Sequence, residues 1–300
     1  AVLRGLARPM IDGRRALALE YHDGRTLHRV LAMSRGAGKR LPPSVGLTIA
    51  LRTLEALAHA HGKGLVHGAL VPRTIVVGWD GEVKVSHWGS GACQLQDDLA
   101  AQLAYLAPEL ARGEEPTPRA DIFAAGAIVY ELFTGRSFFR REGPRKTLRA
   151  LTEADRSGVD AALGRVPKVA HVVRTSLAVD PAGRKIGADE MGRVLLEALG
   201  QVGVRPAQSH VKSTMCAMFP NAVPVVGGHN PVRRRMEGDR GEPMPVLDEA
   251  AMQDFVADVV TASVPSAFST TTPDTIRSVT GDAPFLESPR RGWRKIFSRT

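Results

Sequence analysis

His67, His87, Cys93, Asp97 and Asp98 are the side chains in the middle of the chain whose types could do chemistry. A histidine near a thiol suggests a metal or redox site, but such a site needs further ligands at fixed spacing. None accompanies this pair, and Cys93 reads as an incidental thiol. His87 could ligate a transition metal; it is a poor partner for Mg²⁺, which takes hard oxygen ligands. No metal site is expected. The other cysteine, Cys216, stands far from the rest, and two cysteines make no disulfide framework. They fit a reduced, cytoplasmic compartment. His59 and His61 read as packing or capping groups on the segment leading to His67.

The elements that must position these side chains are legible as patterns. Residues 43–61 place Val45, Ile49, Leu51, Leu54, Leu57 and Ala58 near helical spacing. Two short β-branched runs, Ile75–Gly78 and Glu82–Ser86, flank Trp79-Asp80-Gly81, whose Asp-Gly is a hairpin signal. Further helices are expected over 120–134, 167–179 and 187–199, joined by charged loops such as Arg140–Lys146. After Gly200 the pattern breaks. Residues 201–247 have scattered Pro, Gly and Met and read as a linker. Asp248–Val260 could form one short helix, and residues 261–278, rich in Ser, Thr and Pro, read as disordered.

Leu65-Val66-His67-Gly68-Ala69-Leu70-Val71-Pro72-Arg73-Thr74 has the frame of a protein-kinase catalytic loop, H-R-D-x-x-x-x-N. The hairpin that follows delivers His87-Trp88-Gly89 where that family has the metal-binding D-F-G. Tyr105-Leu106-Ala107-Pro108-Glu109 matches the A-P-E that closes the activation segment. Asp121–Gly126 opens an apolar run like the buried central helix of the C-lobe, and Asp180-Pro181-Ala182-Gly183-Arg184 is similar to D-P-x-x-R. All stand in order, over roughly residues 15–200. The chain resembles a bacterial, eukaryotic-like Ser/Thr protein kinase, and most closely a catalytically degenerate pseudokinase.

The resemblance sorts the residues. His67, Gly89, Glu109, Asp121 and Arg184 hold structural positions; it implies that Arg184 pairs with Glu109 and that Asp121 anchors the catalytic-loop backbone. The chemical positions are changed. Ala69 stands for the Asp that accepts the substrate proton, Val71 for a Lys, Thr74 for the Asn that holds magnesium, and His87 for the metal-binding Asp. Ala101-Gln102-Leu103 stands where Gly-Thr-Pro is usual. The activation-segment equivalent, 87–109, carries only Ser90 and Tyr105 as hydroxyl side chains, which fits a segment that no longer switches by phosphorylation.

Arg15–Gly24 looks like the last N-lobe strand and the hinge, with Thr26 and Leu27 opening the first C-lobe helix. Residues 1–24 carry no Gly-rich phosphate loop and no V-A-I-K-like lysine. Two readings of this front end stand: an N-lobe encoded upstream of Ala1, or a C-lobe remnant. Backbone groups at Glu20, Tyr21 and His22 could meet an adenine weakly. No cofactor is expected; ATP and Mg²⁺ come by resemblance only.

The expected fold is α+β and protein kinase-like: an N-lobe remnant and hinge over 1–24, a helical C-lobe over 25–200, and a linker with a largely disordered tail over 201–300. The net charge of +9 would suit an anionic partner, but no nucleic-acid signature accompanies it and aromatics are only 5%. Nucleic acid is not an expected partner. No run of residues is long and apolar enough to span a bilayer. The basic end Arg290–Arg299, with Trp293 and Phe297 interleaved, has the makings of a membrane-surface tail. The expected role is a scaffold or regulator in signalling that binds another protein, an active kinase among the candidates. The alternative is a Ser/Thr kinase with upstream or unconventional catalytic residues, for which Asp97 and Asp98 are the nearest carboxylates.

Overall fold

The computed structural model describes residues 2, 5–7, 10–11, 14–15, 18–88, 102–153 and 156–220, the first segments through residue 19 by backbone alone. The chain divides between residues 229 and 230, and every described residue belongs to the first unit. Its architecture is the α+β, mainly helical one expected for a protein kinase.

The front supplies two small antiparallel ladders, β1 (Gly5–Ala7) with β4 (Ala18–Leu19) and β2 (Met10–Ile11) with β3 (Arg14–Arg15). A three-stranded antiparallel sheet follows, with β6 (Ile75–Gly78) between β5 (Gly24–Thr26) and β7 (Val83–Val85). Gly81 at the β6–β7 turn has φ +85°, a conformation that glycine adopts without steric penalty. The Asp80 carboxylate accepts the Glu82 N–H at 2.9 Å, closing the turn that Asp-Gly forecasts.

Helix α1 (Leu27–Gly36) starts at Thr26, whose hydroxyl accepts the Arg29 N–H. Helix α2 (Pro43–His61) buries a broad apolar face that includes Val45, Ile49, Leu54 and Leu57. The short α3 (Pro108–Ala111) leads to α4 (Pro118–Thr134), which is buried over nearly its whole length and ends at Gly135 in the left-handed conformation. Helices α5 (Pro144–Glu153), α6 (Ser157–Leu163), α7 (Pro167–Ser176) and α8 (Ala188–Gln201) complete the bundle. Gly126 is where α4 meets α7: a Cβ there would lie 1.9 Å from the Ser176 hydroxyl oxygen. The charged loop expected through Lys146 is shorter, because α5 already begins at Pro144.

The linker expected from residue 201 also needs correction at its start. Helix α8 runs to Gln201, and a further helix, α9, spans Gln208–Met218. Val211, Met215 and Phe219 recur every fourth residue and are buried. The Thr48 hydroxyl accepts the Ala207 N–H at 2.9 Å, and Gln208 Nε2 donates to the Asp80 carbonyl at the hairpin tip. Phe219 meets the Trp79 ring edge-on at 5.8 Å. Only three apolar positions define this stripe, and tertiary contact completes it. The helix expected at 248–260, the tail, Gly89, Cys93, Asp97, Asp98 and Ala101 lie outside the described residues.

Candidate functional site

Asp121, in the first turn of α4, is almost fully buried and organises the loop. Its two carboxylate oxygens accept the backbone N–H groups of His67 and Gly68, each at 2.8 Å. His61 Nε2 lies 2.9 Å from the same carboxylate. Gly68 has φ +75°, and a Cβ there would approach Pro116 at 3.2 Å. An Arg-like side chain at this position would therefore strain the backbone and press on Pro116.

The His67 ring bridges the loop and the hairpin. Nε2 donates to the Ser86 carbonyl at 3.0 Å, and Nδ1 accepts the Ala69 N–H at 3.3 Å. Both nitrogens are thereby satisfied by a neutral ring. Burial pushes the imidazole below its ordinary pKa, which keeps it neutral. The Trp88 ring packs on it at 4.8 Å, and its indole N–H donates to the Val85 carbonyl at 3.1 Å.

The four changed positions lie on the loop and at the end of the hairpin that this ring joins. Ala69 is half-buried and offers a methyl group. Thr74 is fully buried; its hydroxyl donates to the Val71 carbonyl at 2.8 Å and accepts the Val71 N–H at 3.2 Å. That oxygen is engaged inside the turn. His87 has φ +65°, alone with a positive φ among the described non-glycine residues. Ser86 Oγ, 3.0 Å from the Thr74 carbonyl, can donate its proton there and accept from His87 Nδ1 at 2.7 Å. Burial lowers the His87 pKa as well.

These groups do not fit Mg²⁺. At the two metal-holding positions of the kinase frame stand an imidazole and a hydroxyl already bonded to backbone, where a hard cation takes oxygen ligands. Among the described residues no group of three or more His, Cys, Asp and Glu side chains could hold a metal.

The hinge residues are tied to the hairpin. Lys84 Nζ donates to the Glu20 carboxylate at 2.9 Å, and His22 Nε2 lies 3.4 Å from the Glu82 carbonyl. Tyr21 is 70% exposed and donates to Asp23 at 3.2 Å.

Below the loop, Arg184 and Glu109 meet face to face. Two guanidinium N–H groups donate to the two carboxylate oxygens at 2.5 and 2.8 Å, with both side chains out of solvent. Arg184 also donates to the carbonyls of Ala178, Arg119 and Val179 and lies over the Phe123 ring. Every donor of this buried cation has an acceptor.

Sequence reasoning missed a second polar centre. Glu131 is 2% exposed within α4; Tyr105 donates its hydroxyl proton to one carboxylate oxygen and Arg35 donates to the other at 2.5 Å. Burial and Glu131 hold the Tyr105 pKa well above its ordinary value, so the phenol stays a donor. Glu131, the one carboxylate of α4 beyond its first turn, was the signal available. Ser86, which joins Thr74, His67 and His87, was also missed, since one serine before His-Trp-Gly carries no pattern.

The protein kinase domain profile matches residues 10–186. The serine/threonine-protein kinase PknL of Mycobacterium tuberculosis is 29% identical over 253 residues, covering 77% of this chain and 62% of that protein. A Streptomyces coelicolor protein named a probable serine/threonine-protein kinase is 31% identical over 69% of this chain and 32% of its own length. The serine/threonine-protein kinase PrkC of Bacillus subtilis is 29% identical over 58% of this chain and 28% of that protein. The chain thus spans less than two thirds of the length of these curated relatives.

Proposed function

The chain belongs to the protein kinase domain family, and from that premise we propose that it is a catalytically inactive member serving as a protein-binding scaffold or regulator in signalling. The observation that carries this reading is Thr74. The one oxygen-bearing side chain among the four changed positions has its hydroxyl bonded both ways to Val71 inside the turn. Ala69 supplies no base, Val71 no cation and His87 no hard oxygen ligand. Phosphoryl transfer depends on positioning and on metal and cationic charge at the phosphates. A general base alone contributes roughly 10²–10⁴ in rate. Losses at all four positions together remove each of these contributions. Tyr105, with its hydroxyl buried against Glu131, offers no acceptor for an activating phosphate.

The proposed partner is another protein, an active kinase among the candidates, and the proposed compartment is the cytoplasm. Among the described residues no helix is long and apolar enough to cross a membrane. Nucleic acid is not a proposed partner; the Arg290–Arg299 segment remains a proposed membrane-surface contact. No cofactor is proposed. A second reading, Ser/Thr kinase with upstream or unconventional catalytic groups, is favoured by the names of the three relatives and by their greater length.

Thermal-shift titration with ATP, with and without Mg²⁺ or Mn²⁺, separates the two, followed by labelled-phosphate transfer to a generic substrate. A ligand that binds only the native state at ~100-fold over its Kd adds about 2.7 kcal/mol of stability. The inactive reading expects no metal-dependent shift and no transfer. Transfer above background overturns it.

A further inference from the structure

Helix α9 has little of its own to hold it together. Ser209, His210, Val211, Ser213, Thr214 and Cys216 are weak helix formers. Ala207 gives no side-chain cap, the first turn has no acid and the last has no base. At 11 residues it would be marginal alone. What forms it is its seat, a groove walled by α1, α2 and the β6–β7 tip. Polar contacts fix its place: Thr48 Oγ1 accepts the Ala207 N–H, His210 Nδ1 lies 3.0 Å from Ser44 Oγ, and Gln208 Nε2 donates to the Asp80 carbonyl. Gly81 permits the close approach, since a Cβ there would lie 2.3 Å from the Gln208 carbonyl oxygen. Val211, Met215 and Phe219 fill the groove, and the rest of the helix surface is mostly exposed.

We propose that α9 is a releasable strap over a helix-docking groove. It opens without unfolding the domain, its release is felt at the hinge, and the groove it vacates takes an amphipathic helix of a partner protein. Segments with few buried contacts open below the free energy of global unfolding. Three apolar side chains hold this uncapped helix, whereas α2 and α4 are buried over much of their length. The path to the hinge is Trp79, whose ring meets Phe219 edge-on at 5.8 Å. Its indole N–H donates to the Asp23 carboxylate at 3.0 Å, and its backbone N–H donates to the Asp23 carbonyl at 3.1 Å. The Arg25 guanidinium lies 5.0 Å from the centre of the same ring. Withdrawing Phe219 opens one edge of the ring to water and loosens the packing that holds residues 23–25. The seated helix also defines what else fits: apolar side chains at every fourth position on one face and a polar face opposite. The inference rests on the protein-binding reading above only for the source of that helix. It fails separately, since ATP and phosphotransfer do not report on this groove.

The test is hydrogen exchange of the full chain read by mass spectrometry, with a labelled peptide of residues 205–220 as the probe for the groove. In the unsubstituted chain the α9 amides are expected to exchange at least about tenfold faster than those of α4. Phe219→Ala is expected to speed exchange in α9 and also at 23–26 and 79–82, with α4 still the slowest. Lys212→Gln, on the exposed face of α9, is expected to change neither. Val211→Asp with Met215→Asp keeps α9 out of the groove. That variant is expected to bind the peptide at least about tenfold more tightly than the unsubstituted chain, because no tethered helix competes. A peptide carrying the same two substitutions is expected not to bind. The proposal is overturned by α9 amides as slow as those of α4, by hinge amides unmoved in Phe219→Ala, or by equal peptide binding to both proteins. Loss of α4 protection in the double variant overturns it too, because α9 would then be part of the core and not a strap over it.

Discussion

Replacing Glu109 by Gln leaves the Arg184 guanidinium fully buried with no counter-charge. Glu109 is 2% exposed, and two of the Arg184 donors end on its oxygens. Gln keeps the shape but offers one acceptor oxygen and one competing donor. Breaking a buried pair by removing one partner typically costs about 3–5 kcal/mol. The three carbonyls that Arg184 also contacts, those of Ala178, Arg119 and Val179, remain in place and hold the cation in its apolar setting. In a domain of this size 1 kcal/mol moves Tm by about 2–4 °C, so the expected loss is about 6–20 °C. Arg184→Met should destabilise as well, because it strands the Glu109 carboxylate and three carbonyls. The double variant should lose less than the sum of the two singles, since each single contains the penalty of an orphaned charge. Differential scanning calorimetry of the four proteins measures the cycle. A shift under about 2 °C for Glu109→Gln, or strict additivity, would show that the pair is solvated and that its reading as the bolt between α3 and the segment after α7 is wrong.

Three other outcomes follow from particular contacts. Gly126→Ala drives a methyl group into the Ser176 hydroxyl and should cost about 1–3 kcal/mol; adding Ser176→Gly should recover most of that in urea denaturation, and no recovery would place the clash elsewhere. Phe219→Ala removes the ring that covers Trp79 and should cost about 3 kcal/mol with a red-shifted tryptophan emission; unchanged emission would argue that α9 does not seal the hairpin. His67 titrates lower in the folded state than in the unfolded chain, because burial disfavours its charged form. Its stabilising contribution is therefore full above the unfolded value of about 6.5 and is lost as pH falls through and below it. Melting temperature should drop between pH 7 and pH 5, with a smaller drop in His67→Asn, and equal slopes would remove His67 from the account.

The helical bundle is legible in the sequence because its elements bury long periodic stripes. Helix α2 repeats apolar residues through five turns, and α4 is apolar enough that Asp121 and Glu131 stand out as charges needing partners. The Asp80-Gly81 turn declares itself, since few dipeptides accept that backbone. Helix α9 was illegible for the opposite reason: three apolar residues over three turns make no stripe by themselves, and its stability lies in contacts with Thr48, Asp80 and Trp79, distant in sequence. The Tyr105–Glu131–Arg35 centre draws on three separated segments. Tyr105 and Arg35 read as ordinary in their own windows, and only the fold joins them to Glu131.

The loop's shape does not rest on the side chains at 69 and 71, and the hydrogen bonds say why. The N–H groups of His67 and Gly68 are buried, and unpaired buried donors cost about 1–3 kcal/mol each. Asp121 satisfies both, so it is part of the core whatever the loop does. The His67 ring ties the same turn to Ser86, and Ser86 ties it to Thr74. These contacts tie side chains to backbone across α4, the loop and the hairpin, and none uses the side chains at 69 or 71, while His87 adds a bond from Nδ1 to Ser86 Oγ. Substitution at 69 or 71 leaves these side-chain hydrogen bonds untouched. Thr74 adds to them, since its shorter side chain closes the turn on Val71. Selection for a stable binding surface can therefore act on this frame independently of selection for phosphoryl transfer. Glu131, which holds Tyr105 and Arg35, sits on the same α4 that carries Asp121, so one buried helix supplies the carboxylates of both polar centres.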